Sequence, residues 1–414
     1  MTTPVLSRLY TPSDYGEWSI FSGYISIFGV VMTGGYELAI IKTKNRTDIP
    51  NLIALCLIIL LILIFFLSSI LVFSNILNIT YINSLPLKWF MILYLLLTGI
   101  QGIGMNYSNR MQKYNTIAIG ELTSGVTQSL MRILFAELKI NGLIIGTLVA
   151  RIYECFYYMM RLRKNLSVFS TKIISVKRIV GLAVEHKKFP LFDAPSSLLT
   201  FASLNVPILI LATAFKKTEV GYYSMVLQIL LLPMSFVGSA MGKVYYREVS
   251  FFENDSQVLD VSMRTLKISL LIAVAPILFF CFGGDHILEI FLGRQWKLAG
   301  TFALFLSLWA FPSIVLFPLY PIYRYRNRQN ILFNFNLVFT TLTIIALLVG
   351  IWIWNDILKT LLLYSITGFA IKVLQIQNIF SLCGIQLKRL NTIYLIVFIS
   401  AILIWCIRVF FILT

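Results

Sequence analysis

A chain of 414 residues that is 58% hydrophobic and only 12% charged cannot hide its apolar surface in one water-soluble core, because soluble domains carry about 25% charged residues. The mean hydropathy of +0.86 agrees and makes a bilayer the solvent for most of the protein. The formal net charge of +17 is no argument for nucleic acid, since the Lys and Arg residues sit mainly in short loops between apolar runs, where membrane topology places them.

The opening MTTPVLSRLY lacks the basic and apolar regions of a cleavable signal peptide. Twelve apolar segments follow, each long enough to cross about 30 Å of hydrocarbon. They are residues 15–41, 52–73, 86–107, 114–137, 141–163, 189–213, 218–246, 262–283, 298–321, 330–354, 357–381 and 392–413. Such runs are about twice as long as a barrel strand needs. The expected fold is therefore all-α, a polytopic membrane helix bundle.

The loops give an orientation. Basic residues cluster at Lys42, Lys44 and Arg46, at Arg110 and Lys113, through 161–188, at Lys243 and Arg247, at Arg324, Arg326 and Arg328, and at Lys388 and Arg389. Between them, 74–85 carries no charge and 138–140 only Lys139. The alternation puts the basic loops in the cytoplasm and the start of the first segment outside, which implies that a preceding helix is absent. Residues 164–188 set apolar Ile174, Val176, Ile179, Val180 and Ala183 against basic neighbours. That pattern reads as a helix on the cytoplasmic leaflet or as a solvated linker. It divides the chain into a first lobe, 1–163, and a second, 189–381, with an extra helix in 382–414.

The lobes read as a repeat. Asp14-Tyr15-Gly16-Glu17-Trp18-Ser19 opens one long segment and Glu219-Val220-Gly221-Tyr222-Tyr223-Ser224 another. Tyr107-Ser108-Asn109-Arg110 and Tyr325-Arg326-Asn327-Arg328 lead later turns in the same order. Internal similarity of this kind marks transporters built from two related halves.

Residues 3–40, TPVLSRLYTPSDYGEWSIFSGYISIFGVVMTGGYELAI, 189–211, FPLFDAPSSLLTFASLNVPILIL, and 219–248, EVGYYSMVLQILLLPMSFVGSAMGKVYYRE, resemble the Wzx-type polysaccharide flippases of the multidrug/oligosaccharidyl-lipid/polysaccharide exporter superfamily. The resemblance covers nearly the whole chain. It implies two pseudo-symmetric lobes and alternating-access export of an undecaprenyl-pyrophosphate-linked oligosaccharide across a bacterial inner membrane. It also implies partners: the lipid-linked substrate, membrane lipids, a polysaccharide polymerase and a chain-length regulator. The family's first helix would here be clipped to a stub. Gly35 stands before Tyr36-Glu37 where many relatives have a basic residue.

An ionisable group at the bilayer centre costs about 2.5–3.5 kcal/mol, so such groups usually face a cavity or a partner. Glu121, Gln128 and Arg132 share one helical face. Arg151 and Glu154 follow three apart, Asp193, Ser197, Thr200 and Ser203 form a polar stripe, and Lys372 lies near Gln375. One reading is a water-filled cavity between the lobes, in which Arg132, Arg151 and Lys372 attract pyrophosphate by planar or ammonium donors and amides and hydroxyls contact sugars. The other is internal pairing, such as Arg151 with Glu154 or Glu121. Arg132 could also snorkel, and Glu121 could couple transport to an ion. No cofactor is expected: the five cysteines are scattered, there are two histidines, and no GxxxxGK[ST], DxD, HExxH or GxSxG occurs. The rival functions are a cation-coupled drug or metabolite exporter of the same superfamily and a membrane enzyme of polysaccharide assembly.

Overall fold

The computed structural model describes residues 2–43, 45–76, 88–162, 174–251, 254–385 and 392–413. The described residues form helices and no strand, as expected where backbone groups must find partners within their own segment. Two compact units divide at Leu209 and Ile210. Residues 189–209, given to the second lobe by the sequence reading, thus group with the first unit. Lys44, Arg163, Lys164, Lys172, Lys388, Arg389, residues 77–85 of the uncharged loop, and the 163/164 boundary lie outside the described residues.

The first unit contains α1 (Thr3–Leu9), α2 (Pro12–Gly29), α3 (Ala39–Lys42), α4 (Ile49–Ile76), α5 (Lys88–Arg110), α6 (Tyr114–Leu134), α7 (Ile140–Leu162), α8 (Val176–Glu185) and most of α9 (Ala194–Ala214). The second contains α10 (Lys217–Ser250), α11 (Asp255–Cys281), α12 (Gly284–Leu292), α13 (Lys297–Leu316), α14 (Pro321–Tyr325), α15 (Gln329–Trp354), α16 (Ile357–Cys383) and α17 (Thr392–Leu413). Among the described residues, eight helical stretches are long and apolar enough to cross a membrane. They coincide with eight of the predicted segments. The other four, 15–41, 114–137, 218–246 and 392–413, are helical too, in α2–α3, α6, α10 and α17.

The internal repeat has a physical basis at the helix starts. Asp14 Oδ2 accepts the Thr11 backbone N–H at 2.9 Å, and Thr11 Oγ1 accepts that of Asp14 at 3.2 Å, a reciprocal cap. Glu219 Oε2 accepts the Lys216 backbone N–H at 2.9 Å in the same register of α10. The later landmark is a matching helix end read in the wrong register. Gln112 and Asn327 both turn left-handed, at φ 55° and 54°, and the next residues, Lys113 and Arg328, donate back to Ser108 and Tyr323. Gln112 therefore corresponds to Asn327, three residues from the alignment that the similar letters suggest.

Residues 15–41 do not form one continuous span. α2 ends at Gly29, the chain turns through Gly34 and Gly35 at φ 60° and 76°, and a short 3-10 turn, Tyr36–Leu38, leads into α3. β-branched Val30 and Val31 followed by two glycines give helix a poor footing there. In the described part of the linker, Ile179 and Leu182 of α8 are buried with Tyr36, Ile40 and Ile53, while Val176, Val180 and Val184 are exposed. In the second unit α13 is buried along almost its whole length. The indole N–H of Trp405, on the extra helix α17, donates to Leu304 O of α13 at 2.7 Å.

Candidate functional site

A cavity of about 530 Å³ lies within the first unit. α2 contributes Trp18, Ser22 and Ser26; α5 contributes Tyr94, Thr98, Gln101 and Asn106; α6 and α7 contribute Gln128, Thr147 and Arg151. The broken stretch after α2 brings Gly35 and Glu37 to the wall. A π-helical turn, Phe189–Asp193, precedes α9, with Pro190 removing one backbone donor. That turn and α9 supply Asp193, Ser197 and Phe201. A second cavity of about 330 Å³ shares Tyr94, Gln101, Gln128, Thr147 and Arg151 and adds Glu121, Ser124 and Glu154.

Close helix approach sets this geometry. A Cβ on Gly104 of α5 would fall 2.9 Å from Tyr158 Cβ of α7, and one on Gly146 of α7 would fall 2.9 Å from the Arg132 backbone nitrogen of α6. Membrane helices pack through such small residues because lipid tails supply no hydrophobic drive between them.

Arg151 stands where the two cavities meet. Its guanidinium donates to Glu154 Oε2 at 3.0 Å and to the Tyr94 hydroxyl at 2.7 Å, and lies 5.0 Å from the Tyr94 ring centroid. Glu154 also accepts from Gln101 Nε2 at 2.9 Å and from the Ser124 hydroxyl at 3.3 Å. The internal pairing read from the sequence is present, and it faces a cavity as well.

The other predicted residues divide. Glu121, Gln128 and Asp193 join Arg151 and Glu154 on the cavity walls. Arg132 is buried behind the wall: it donates to Thr147 Oγ1 at 2.8 Å and its guanidinium carbon lies 4.6 Å from the Trp18 ring centroid. Trp18 and Thr147 both line the larger cavity. Thr200 is exposed, its hydroxyl bound to the Ser196 carbonyl, and is in neither wall. Lys372 belongs to the second unit, where it is buried, donates to Gln375 Oε1 at 3.1 Å and Tyr320 Oη at 3.2 Å, and faces the Phe339 ring at 4.5 Å.

Sequence reasoning missed Glu37, Trp18, Tyr94 and Asn106. The Gly34-Gly35 pair was the available signal for Glu37, since a chain that leaves the helix there can aim its next polar side chain inward. The aromatic residues gave none, because interfacial Trp and Tyr read identically in a membrane protein.

A family model described as polysaccharide biosynthesis protein matches residues 5–300. No curated protein matches the chain. The lipid II flippase MurJ, in an inward closed conformation, superposes with a TM-score of 0.69 at 13% identity over 98% of this chain and 95% of that one. A multidrug resistance MATE family transporter of the MOP superfamily, inward-facing, gives 0.64 at 14% identity over 92% and 96%. At these identities the likeness establishes the fold.

Proposed function

We propose that this chain, which belongs to the polysaccharide biosynthesis protein family matched over residues 5–300, is a flippase that moves an undecaprenyl-pyrophosphate-linked oligosaccharide across a bacterial cytoplasmic membrane. The observation that carries this reading is the 530 Å³ cavity in a membrane-spanning chain, walled by amides, hydroxyls and aromatic faces. Polar groups in a membrane bundle are retained where they pair or meet water and solute. Gln101, Asn106, Gln128 and Thr98 offer both donors and acceptors, as sugar hydroxyls require, and Trp18, Tyr94 and Phe201 offer flat apolar faces. By alternating access the cavity opens first to the cytoplasm and then outward, while the polyprenyl tail stays in lipid. A polymerase and a chain-length regulator fit as partners that receive the exported unit.

Carboxyl groups at Glu37, Glu121 and Asp193 favour a second reading, a cation-coupled drug or metabolite exporter. Deleting the gene in its host and analysing the surface polysaccharide and the lipid-linked pool decides between them. Loss of surface glycan with lipid-linked units accumulating inside supports the flippase. Unchanged glycan with new sensitivity to cationic dyes supports the exporter.

A further inference from the structure

We infer that the first-unit cavity selects a repeat unit bearing a free amine over an uncharged one, and an uncharged one over an acidic one. This rests on the flippase reading and names the substrate class within it. The lining residues of the two adjoining cavities include one cation, Arg151, against four carboxyl groups, Glu37, Glu121, Glu154 and Asp193. That one guanidinium is already engaged by Glu154 and the Tyr94 hydroxyl. Two further cations of this unit are outside the lining: Arg132 lies against Trp18 and is held by Thr147, and Lys42 faces the Phe189 ring at 5.0 Å.

The pyrophosphate, which the sequence reading gave to Arg132, Arg151 and Lys372 in a cavity between the lobes, finds no uncommitted donor cation in these first-unit walls. A uronic acid brought to the wall that holds Asp193 meets like charge, whereas an ammonium is drawn to that group and can donate to Glu37 as well. Glu37 comes to the wall through the helix break at Gly34 and Gly35, and Asp193 through the π-helical turn, so two independent irregularities of backbone aim carboxyl groups at one cavity. Trp18 and Tyr94 already face Arg132 and Arg151, and Phe201 in the same wall adds a ring face that favours a cation. The carrier's pyrophosphate is accordingly held outside this cavity, and the sugar enters it.

The test uses the full chain in lipid nanodiscs and three citronellyl-pyrophosphate-linked disaccharides that end in glucosamine, N-acetylglucosamine or glucuronic acid. Calorimetric affinities should fall in that order, with the amine probe about tenfold or more tighter than the uronate. The gap should shrink to about threefold or less in Glu37→Gln/Asp193→Asn, and partly in Asp193→Asn, whose exposed side chain makes misfolding a poor explanation. Uronate binding as tight as the amine's, or a preference that survives in the double variant, overturns the inference. The same probes in proteoliposomes, followed by their exposure to a membrane-impermeant lectin or amine reagent, test the reading beneath it. Selective binding without any probe crossing defeats the flippase reading alone, and crossing without selectivity defeats the inference alone.

Discussion

Arg151 and Glu154, one turn apart on α7, form an ion pair at 3.0 Å whose two side chains are 22% and 6% exposed. The pair does two jobs. It lets a guanidinium and a carboxylate share a membrane bundle, and it fixes the guanidinium beside Tyr94 in the wall common to both cavities. Breaking one partner of a buried pair costs about 3–5 kcal/mol, because the survivor is left uncompensated, whereas replacing both with apolar groups is often neutral.

Arg151→Ala should lower glycan export more than about tenfold while the protein still inserts and accumulates. Glu154→Leu should lower the melting temperature in detergent more than Arg151→Met/Glu154→Leu does, since only the single change strands a charge. The double variant should recover stability and not export. Recovery of both would make the pair structural only.

Arg132 acts on the site through its neighbours. Arg132→Lys keeps the charge and loses the planar group that lies over Trp18 and donates to Thr147. A cation–π contact of this burial is worth about 1–2 kcal/mol, so the melting temperature should drop by a few degrees. The amine-over-uronate preference should persist, because the cavity walls keep their charges. A loss of that preference would place Arg132 in the wall itself.

Much of this was legible in residue order. The helices follow from apolar runs too long for anything else, and the Arg151–Glu154 pair follows from its i,i+3 spacing. The Gln101–Glu154 bond joins residues 53 apart, a contact that only helix packing creates. Arg132 lies on the helical face of Glu121 and Gln128, yet it leaves the wall because Trp18 of α2 inserts in front of it. Periodicity fixes a face but not what covers it. The break after α2 was hidden in the same way, since Gly34 and Gly35 interrupt the helix without interrupting the apolar run.

Gly35 joins backbone strain to cavity charge. At φ 76°, with an added Cβ 3.4 Å from that of Ala194, any other residue should cost about 1–2 kcal/mol. Gly35→Ala should therefore lower the melting temperature and leave sugar preference alone. Gly35→Arg should lower it similarly and also weaken the preference for amine probes, because Gly35 is part of the cavity wall and a guanidinium there offsets Glu37 and Asp193. Equal preferences in the two variants would mean that the new side chain points elsewhere.

The linker helix α8 is fastened to the first unit by charge at one end and by apolar contact along one face. Arg178 grips Asp48 with two bonds, Nε to Oδ1 at 2.7 Å and a terminal nitrogen to Oδ2 at 2.6 Å. Asn51 Oδ1 accepts the Ser175 backbone N–H at 2.9 Å, and the Tyr36 hydroxyl donates to the Ala183 carbonyl at 3.0 Å. Arg178→Ala should raise hydrogen exchange across residues 176–185, and 1 M salt should do the same to the wild type, since about 3 Å of screening length suffices to weaken a part-exposed pair. Tyr36→Phe should have a smaller effect, confined to the far end of the helix. The exchanged pair Asp48→Arg/Arg178→Asp should restore part of the protection that either single change removes. If Arg178→Ala left exchange unaltered, burial of Ile179 and Leu182 would by itself hold the helix, and the ion pair would set only its register.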